Sequence, residues 1–230
     1  MKILILTATE LEARPLKEKL KPIIEKDVRI ERFLYGGITI DVLVSGIGMV
    51  AKAYQLGRYL QKGKYDLALN VGIAGSFNKE TPIGSVVNVV QDRFAEMGAQ
   101  DGDDFIGIAE MNFEEFKTYP YTNGILRNGT DFGKFGLDDM KKANGITANT
   151  IHGKHETISR ITKKFNPDIE TMGGAAFLFV CMSEKIPCAQ IRSISNYVEV
   201  RDRLKWKVPL AIAQLTQEVM KVIENINRKG

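Results

Sequence analysis

Short runs of apolar residues alternate along this chain with segments whose apolar residues recur at helical spacing, and this alternation points to an α/β fold. Runs rich in Ile, Leu and Val suit strands that are buried on both faces of a sheet. We predict strands over 2–8, 28–34, 38–44, 66–71, 85–91, 146–151 and 188–194. We predict helices from about residue 11 and over 49–61, 155–165, 174–183 and 207–227.

The order of these elements predicts a three-layer α/β/α sandwich around a central, largely parallel or mixed sheet. A hairpin should join the strands at 28–34 and 38–44, because the glycines of Tyr35-Gly36-Gly37 tolerate the positive φ of a tight turn. Residues 94–130 show no clear period and are expected to be irregular. Since no linker or repeat divides the 230 residues, we expect a single domain over 1–230.

The composition argues against several classes of partner. The chain is 44% hydrophobic and 26% charged, which is ordinary for a globular protein. Its 32 basic and 28 acidic residues leave a net charge of +4, and the basic residues are scattered, so we expect no nucleic-acid partner. The longest apolar runs, at 67–74 and 174–182, are far shorter than a membrane span. We therefore expect no membrane partner and a cytoplasmic protein.

The cysteines and histidines give no sign of a metal site. Cys181 and Cys188 are the two cysteines of the chain, too few for a disulfide framework, and we expect reduced thiols in the core. His152 and His155 lack a Cys, Asp or Glu partner at metal-ligand spacing and are expected to be a surface pair. No metal is predicted.

Four predicted strands end in small residues with polar neighbours, at 7–12, 45–48, 72–76 and 193–196. If these strands are parallel, their ends meet at one edge of the sheet, where α/β proteins bind ligands. The Gly72-Ile73-Ala74-Gly75 run, read as a turn, lacks the spacing of a dinucleotide fingerprint or a phosphate loop. A lone glycine-rich run is weak evidence for a site, and a turn with close helix packing explains it as well.

Each polar residue at this edge also has an ordinary structural explanation. Glu10 and Glu12 open a helix, where the helix dipole favours acidic residues whatever their function. Asparagine, the residue at 196, is common where a chain turns after a strand. The cluster of Arg201, Asp202 and Arg203 is by default solvated. Only the combination of these features is specific.

The combination resembles a known family. MKILILTATELEA at the start, SGIG at 45–48, NVGIAGSF at 70–77, IETMGGAAF at 169–177 and IRSISN at 191–196 follow the order of motifs in the methylthioadenosine/adenosylhomocysteine nucleosidases and related nucleoside phosphorylases. FAEMGAQDGDDF at 94–105 and SNYVEVRDRLKWKVPLAI at 195–212 are most similar to futalosine hydrolases of menaquinone biosynthesis. The resemblance implies a nucleoside phosphorylase-like fold, a homo-oligomer with a pocket near a subunit contact, and cleavage of the N-glycosidic bond of a purine nucleoside.

The resemblance also implies roles for particular residues. Glu12 would position the attacking water, a role that suits a carboxylate at a helix start, and Asn196 would bind the departing purine. The implied substrate-binding residues are Ala8, Ile47, Ala74, Gly75, Thr150, Ile151, Met172 and Gly173, with Thr150 and Ile151 beside the purine and Met172 on the ribose. Helical packing explains Met172 equally well. No cofactor is expected, because water attack and leaving-group stabilisation use only protein groups.

Asn196 departs from the Asp that adenine-specific nucleosidases carry at this position. An amide offers one donor and one acceptor side by side, which fits O6 and a protonated N7 of a 6-oxopurine. A 6-amino group would face the amide donor with another donor, at a cost on the order of 1–3 kcal/mol. The sequence therefore predicts a hypoxanthine nucleoside such as futalosine. An amide flip is the alternative, since Asn can present its atoms in either order.

Two further departures leave alternatives open. Phosphorylases of this family carry an Arg just before the glycine run, but 68–71 reads Ala-Leu-Asn-Val with no cation, so water is favoured over phosphate as the acceptor.

Gly173 stands where the family has a Glu that binds the ribose hydroxyls, and losing two such hydrogen bonds costs roughly 3–6 kcal/mol. The chain is then an altered or inactive member, a variant that traps substrate, or one in which a carboxylate such as Glu170 substitutes. A nucleoside-binding protein with little turnover and a purine nucleoside phosphorylase remain the alternatives.

Futalosine-like substrates also carry a carboxylate on an aromatic tail. Arg201, Arg203 and Arg93 are candidates to pair with it, and Trp206 and Phe105 are candidates to stack near it. A surface role explains each of these residues equally well.

Overall fold

The computed structural model describes residues 1–26 and 30–229. The helices are α1 (Glu10–Lys17), α2 (Met49–Leu60), α3 (His155–Phe165), α4 (Gly174–Ser183) and α5 (Val208–Lys229). The strands are β1 (Lys2–Thr7), β2 (Lys21–Lys26), β3 (Ile30–Tyr35), β4 (Ile38–Val44), β5 (Leu67–Ser76), β6 (Val86–Asp92), β7 (Gly98–Asp101), β8 (Asp104–Gly107), β9 (Tyr121–Thr122), β10 (Ile125–Arg127), β11 (Lys142–Thr147), β12 (Ile169–Thr171) and β13 (Cys188–Tyr197).

The central sheet is mixed. β1 lies between β4 and β5 and is parallel to both, and β13 runs parallel to β5 on its other side. β12 pairs antiparallel with the far end of β5, and β11 and β6 continue from β12 and return to β13. Strands β5, β12, β11, β6 and β13 therefore close into a ring, while β4, β3 and β2 extend the sheet on the other side of β1.

Helices cover both faces of the sheet because successive residues of a buried strand point in opposite directions. Ile3 and Ile5 of β1 pack with residues of α1 and α5, whereas Leu4 and Leu6 pack with residues of α2 and α4. All four of these β1 side chains are fully buried. The predicted three-layer α/β/α sandwich is confirmed.

Three predicted boundaries are wrong. The glycine run at 72–76 is not a turn but the second half of β5, because β13 pairs with it from Arg192 to Tyr197. For the same reason the strand predicted at 188–194 continues to Tyr197 and contains Asn196. The strand predicted at 146–151 is β11 at 142–147, so Thr150 and Ile151 lie in the loop after it.

Other predictions have mixed outcomes. The hairpin of β3 and β4 is present, although Val28 of the predicted strand lies outside the described residues. Short strands β7 to β10 lie within the region expected to be irregular. His152 is buried against Glu170 rather than at the surface, and Cys181 and Cys188 are buried free thiols, as predicted.

Within residues 1–26 and 30–229, none of the helices combines the length and the apolar character needed to cross a membrane. In the same part of the chain, no three His, Cys, Asp or Glu side chains cluster in a way that would hold a metal ion.

Candidate active site

A cavity of about 260 Å³ lies beyond the carboxyl ends of β1 and β4. β1 pairs with β5 only as far as Leu6 and Asn70, and β12 pairs with β5 only at Gly75 and Ser76. In the part of the chain that the structure describes, no strand pairs with the edge of β5 between these two partners, and the cavity opens there. This position, outside the carboxyl ends of parallel strands, is where α/β sheets bind small molecules.

The residues that the family resemblance assigned to the site are dispersed over the chain but meet in this cavity. Its wall contains Ala8, Glu12, Ile47, Ala74, Gly75, Thr150, Ile151, Met172, Gly173 and Asn196. The predicted convergence of strand ends at one edge of the sheet is thus present. The roles of these residues in binding and catalysis stay predictions.

Glu12 is held rigidly at the start of α1. Thr9 and Glu12 form a capping box in which each side chain binds the backbone of the other residue. Oε2 of Glu12 accepts from the backbone N–H groups of Ala8 and Thr9, both at 3.0 Å, and from Thr9 Oγ1 at 3.2 Å. Oε1 accepts from the N–H of Ile73 at 3.2 Å, a donor on the unpaired edge of β5. The carboxylate is therefore fixed at the cavity wall by four donors.

Gly72 makes room for two charged groups at the base of the cavity. A Cβ atom at this position would overlap Nη1 of Arg192 and would lie 2.8 Å from Oε1 of Glu12. Both groups line the cavity on the same side of β5. The glycine here serves close approach of side chains rather than a turn.

A buried chain of hydrogen bonds orients Arg192. Its Nε and Nη2 donate to Oε1 of Gln190 at 3.1 and 3.0 Å, and Nε2 of Gln190 donates to Asp92 at 3.0 Å. Burial lowers the pKa of Arg192 to about 10, opposed by the charges of Glu12 and Asp92. Burial raises the pKa of Asp92 to about 6, opposed by hydrogen bonds from Gln190 and Thr147. The Arg192 guanidinium is therefore held in a fixed position near the carboxylate of Glu12.

The orientation of the Asn196 amide is decided by its neighbours. Nδ2 donates to the carbonyl oxygen of Tyr197 at 3.0 Å. Oδ1 lies 2.7 Å from the hydroxyl oxygen of Ser195, whose one hydrogen can go either to Oδ1 or to the carbonyl oxygen of Ala74 at 3.2 Å, so the contact with Tyr197 is the one that distinguishes the two orientations. A flipped amide would set its oxygen against the carbonyl of Tyr197, where no donor is available. The geometry therefore favours one of the two orientations that the sequence left open. Each amide atom keeps one further hydrogen-bonding position.

Glu170 lies in β12 at the cavity wall, but its carboxylate is already engaged. Oε1 accepts from the backbone N–H of His152 at 3.2 Å, and Oε2 lies 2.6 Å from Nδ1 of the same residue. Both side chains are buried. Both carboxylate oxygens of Glu170 are therefore already in contact with His152.

Lys52 occupies the space next to Gly173. It lies in the first turn of α2, it is buried, and its Nζ donates to Oδ1 of Asn70 at 2.9 Å. Burial lowers the pKa of Lys52 to about 7, helped by the charge of Arg192 and opposed by that of Glu12. The amino group of a lysine thus reaches Asn70, in the segment where the sequence alone showed no basic residue.

Of the candidates for a substrate tail, Trp206 lines the cavity, and the Arg201 guanidinium lies 5.5 Å from the centre of its ring. Phe105 instead lines a neighbouring cavity of about 400 Å³ that shares Thr150 with the first. Arg93 lies 5.6 Å from the ring of Phe165, and Arg203 is exposed. The structure therefore brings Arg201 and Trp206 together at the first cavity, whereas Phe105, Arg93 and Arg203 are not among the residues that line it.

Residues 2–225 match the sequence profile of the Phosphorylase superfamily. The chain belongs to this superfamily. A futalosine hydrolase of Thermus thermophilus is 27% identical over 227 residues, which cover 96% of this chain and 94% of that protein. A 5′-methylthioadenosine/S-adenosylhomocysteine nucleosidase of Colwellia psychrerythraea is 26% identical over 204 residues, which cover 85% and 84%. The native structure of the futalosine hydrolase of Helicobacter pylori shares the fold, with a TM-score of 0.80 at 17% identity over 97% of both chains.

These likenesses confirm the resemblance drawn from the sequence motifs. Within this member of the Phosphorylase superfamily, the sequence had not pointed to Lys52 or Arg192 as residues of the cavity wall, whereas Thr9 and Ser195 lie within the strand ends at 7–12 and 193–196 that it had placed at this edge. Arg192 lies inside the quoted IRSISN motif, and this was the signal that would have found it. Lys52 carried no such signal, because its place in the site depends on how α2 packs over β5.

Proposed function

We propose that this protein hydrolyses the N-glycosidic bond of a purine nucleoside, and that it prefers a 6-oxopurine nucleoside such as futalosine. The observation that carries the proposal is that Glu12 and Asn196, 184 positions apart in the sequence, line one cavity. The relatives named futalosine hydrolase and 5′-methylthioadenosine/S-adenosylhomocysteine nucleosidase support the reaction class.

The chemistry follows from the charge that develops in the reaction. As the bond to the purine breaks, the sugar becomes cation-like, so an anionic group on its far side stabilises it and directs water to C1′. Glu12 supplies this carboxylate, and its four donors keep it from rotating away. As the new C–O bond forms, the electrons of the broken C1′–N bond leave with the purine, which takes a proton from solvent, and the proton lost by the attacking water passes to Glu12 and from there to solvent.

Asn196 stabilises the leaving purine. Its second Nδ2 hydrogen can donate to O6, and Oδ1 can accept from N7 once solvent has protonated it, because the contact with the carbonyl oxygen of Tyr197 favours this order of the two atoms. An adenine would present a donor where the amide also presents one. The expected discrimination is about tenfold or more in favour of the 6-oxopurine. Comparing base release from inosine and adenosine tests this, and equal rates would remove Asn196 as the selector.

Phosphorolysis is a second candidate, which the ammonium group of Lys52 beside Asn70 favours. Phosphate as acceptor would yield a sugar 1-phosphate, whereas water yields the free sugar. Product analysis by phosphorus NMR, with and without phosphate in the buffer, separates them. We expect free sugar under both conditions.

A nucleoside-binding protein with little or no turnover is the third candidate, because Gly173 removes a carboxylate from the ribose side of the site. Measuring the binding of inosine by calorimetry, together with the release of its base, separates this candidate from a hydrolase. Binding of inosine without release would favour this candidate, and recovery of release in Gly173→Glu would identify the missing carboxylate as the cause.

We further propose that the chain works as one domain in a cytoplasmic homo-oligomer, in the pathway of menaquinone biosynthesis. Two large apolar side chains of the cavity wall are exposed, Leu11 at 61% and Ile47 at 60%. Val50 and Tyr54 of the neighbouring helix α2 are exposed as well. A second copy of the chain that covered them would also complete the pocket. Light scattering coupled to size-exclusion chromatography should give more than one chain per particle, and a monomer would contradict this.

A further inference from the structure

Gly173 leaves an opening at the cavity wall that the side chain of Lys52 fills. A Cβ atom at 173 would lie 2.9 Å from Cε and 3.2 Å from Cδ of Lys52. The φ of Gly173 is −163°, which is extended backbone that any residue adopts. It is therefore the path of the lysine chain, and not the local backbone, that favours glycine at this position.

Lys52 keeps hydrogen-bonding capacity that the protein does not use. Its Nζ donates to Asn70, and among the described residues no second hydrogen-bond or ion-pair partner of Nζ occurs. Glu12 is engaged by four donors and Glu170 by His152, whereas Arg192 donates to Gln190 through Nε and Nη2 only. Among the described residues, Lys52 is the charged group of the wall that both lies beside Gly173 and keeps donors for a new polar partner.

A nucleoside bound between Glu12 and Asn196 would bring its sugar to this part of the wall. Met172 and Gly173 lie beside the ribose by the family resemblance, and both line the cavity with Lys52. The vicinal hydroxyl groups of a ribose are the polar atoms that such a sugar offers. An amine can donate to a hydroxyl oxygen and, when neutral, can also accept from the hydroxyl hydrogen.

We propose that Lys52 is a specificity-determining residue that binds a ribose hydroxyl of the nucleoside through Nζ, and that Gly173 provides the space for it. This inference rests on the proposed function. Lysine then takes over the contact to the sugar that a carboxylate makes in relatives with Glu at position 173. The predicted consequence is selectivity for ribonucleosides over the deoxynucleoside that lacks the contacted hydroxyl.

The test measures kcat/KM for inosine, 2′-deoxyinosine and 3′-deoxyinosine in phosphate-free buffer. The wild type is compared with Lys52→Met, with Gly173→Ala, whose methyl group displaces the lysine chain, and with the exposed Lys19→Met as control. Lys52→Met should lose about tenfold to a hundredfold on inosine, the value of one hydrogen bond to a charged group. On the deoxynucleoside without the contacted hydroxyl, Lys52→Met and wild type should agree within about twofold, and Gly173→Ala should follow the same pattern.

An equal loss on all three sugars would show a structural role and overturn the proposal, as would no loss on any. A loss that appears only when phosphate is added would assign Lys52 to an anion instead and would also overturn it. If the wild type releases no base, the proposed hydrolysis fails, and the same comparison is made on Kd by calorimetry. Weaker binding of inosine alone to Lys52→Met then supports the contact, and unchanged or absent binding overturns it.

Discussion

Replacing Glu12 by Gln separates the catalytic explanation of this residue from the structural one. Three donors, from Ala8 and Thr9, meet at Oε2, so the amide oxygen of Gln must take that place. The NH₂ group then faces the N–H of Ile73, which loses its acceptor on the unpaired edge of β5. An unsatisfied buried donor costs about 2 kcal/mol, or a fall of roughly 4–8 °C in Tm for a chain of this size.

The loss of activity should be much larger than the loss of stability. Without a carboxylate to orient and deprotonate the water, kcat for base release should fall by about 10²–10⁴-fold. The matched control is Glu10→Gln, which removes a charge from the same helix turn, where the half-exposed Glu10 forms an ion pair with Lys17 as its one ion pair among the described residues. It should change stability by less than about 0.5 kcal/mol and leave kcat unchanged.

The assays are calorimetric unfolding and hypoxanthine release from inosine, with both variants at the same pH. If Glu10→Gln and Glu12→Gln lose similar activity, the negative charge at the helix start is what matters, and Glu12 has no special role. If Glu12→Gln keeps kcat within about fivefold, Glu12 does not position the water.

Three further predictions concern the same cavity. Asn196→Asp should reverse the preference between inosine and adenosine by about tenfold or more, measured as the ratio of kcat/KM values; an unchanged ratio would contradict this. Gly72→Ala should destabilise the fold by about 1–3 kcal/mol and reduce turnover, because the added methyl group meets Arg192 and Glu12. The control is Gly57→Ala in α2, where an added Cβ meets nothing within 4 Å, and it should stabilise the fold by up to about 1 kcal/mol. In the folded protein the pKa of Lys52 is about 7, against 10.5 for an ordinary lysine. Between these two pH values the unfolded chain therefore binds more protons at Lys52 than the folded protein does. The free energy of unfolding of the wild type should thus rise with pH in this range, by up to about 1.4 kcal/mol per pH unit from this group. Urea titrations give the free energy of unfolding of Lys52→Met minus that of the wild type. This difference should be larger at pH 7 than at pH 9, because the wild type gains stability as the pH rises. A difference that does not change with pH would refute the lowered pKa.

The sequence predicted best those elements whose pattern is local. α4 begins and ends at the predicted residues, because an uninterrupted apolar run bounded by Gly174 and Ser183 leaves little choice. β1 and β4 were found for the same reason. The convergence of their ends at one edge followed from parallel pairing, a general property of such sheets.

The wrong predictions depend on pairing between distant segments. The glycines at 72 and 75 read as a turn, but β13 pairs along this whole stretch and extends it into a strand. His152 looked solvated because its partner, Glu170, is 18 residues away. Lys52 looked like an ordinary helix residue, since neither Asn70 nor Gly173 is near it in sequence.

The central claim is that a purine nucleoside binds between Glu12 and Asn196, and the structure of the Glu12→Gln variant crystallised with inosine tests it most directly. The account predicts N7 and O6 of the hypoxanthine within about 3.2 Å of the Asn196 amide, with C1′ facing residue 12 and a ribose hydroxyl toward Lys52. Inosine bound elsewhere, or with its purine away from Asn196, would contradict the account.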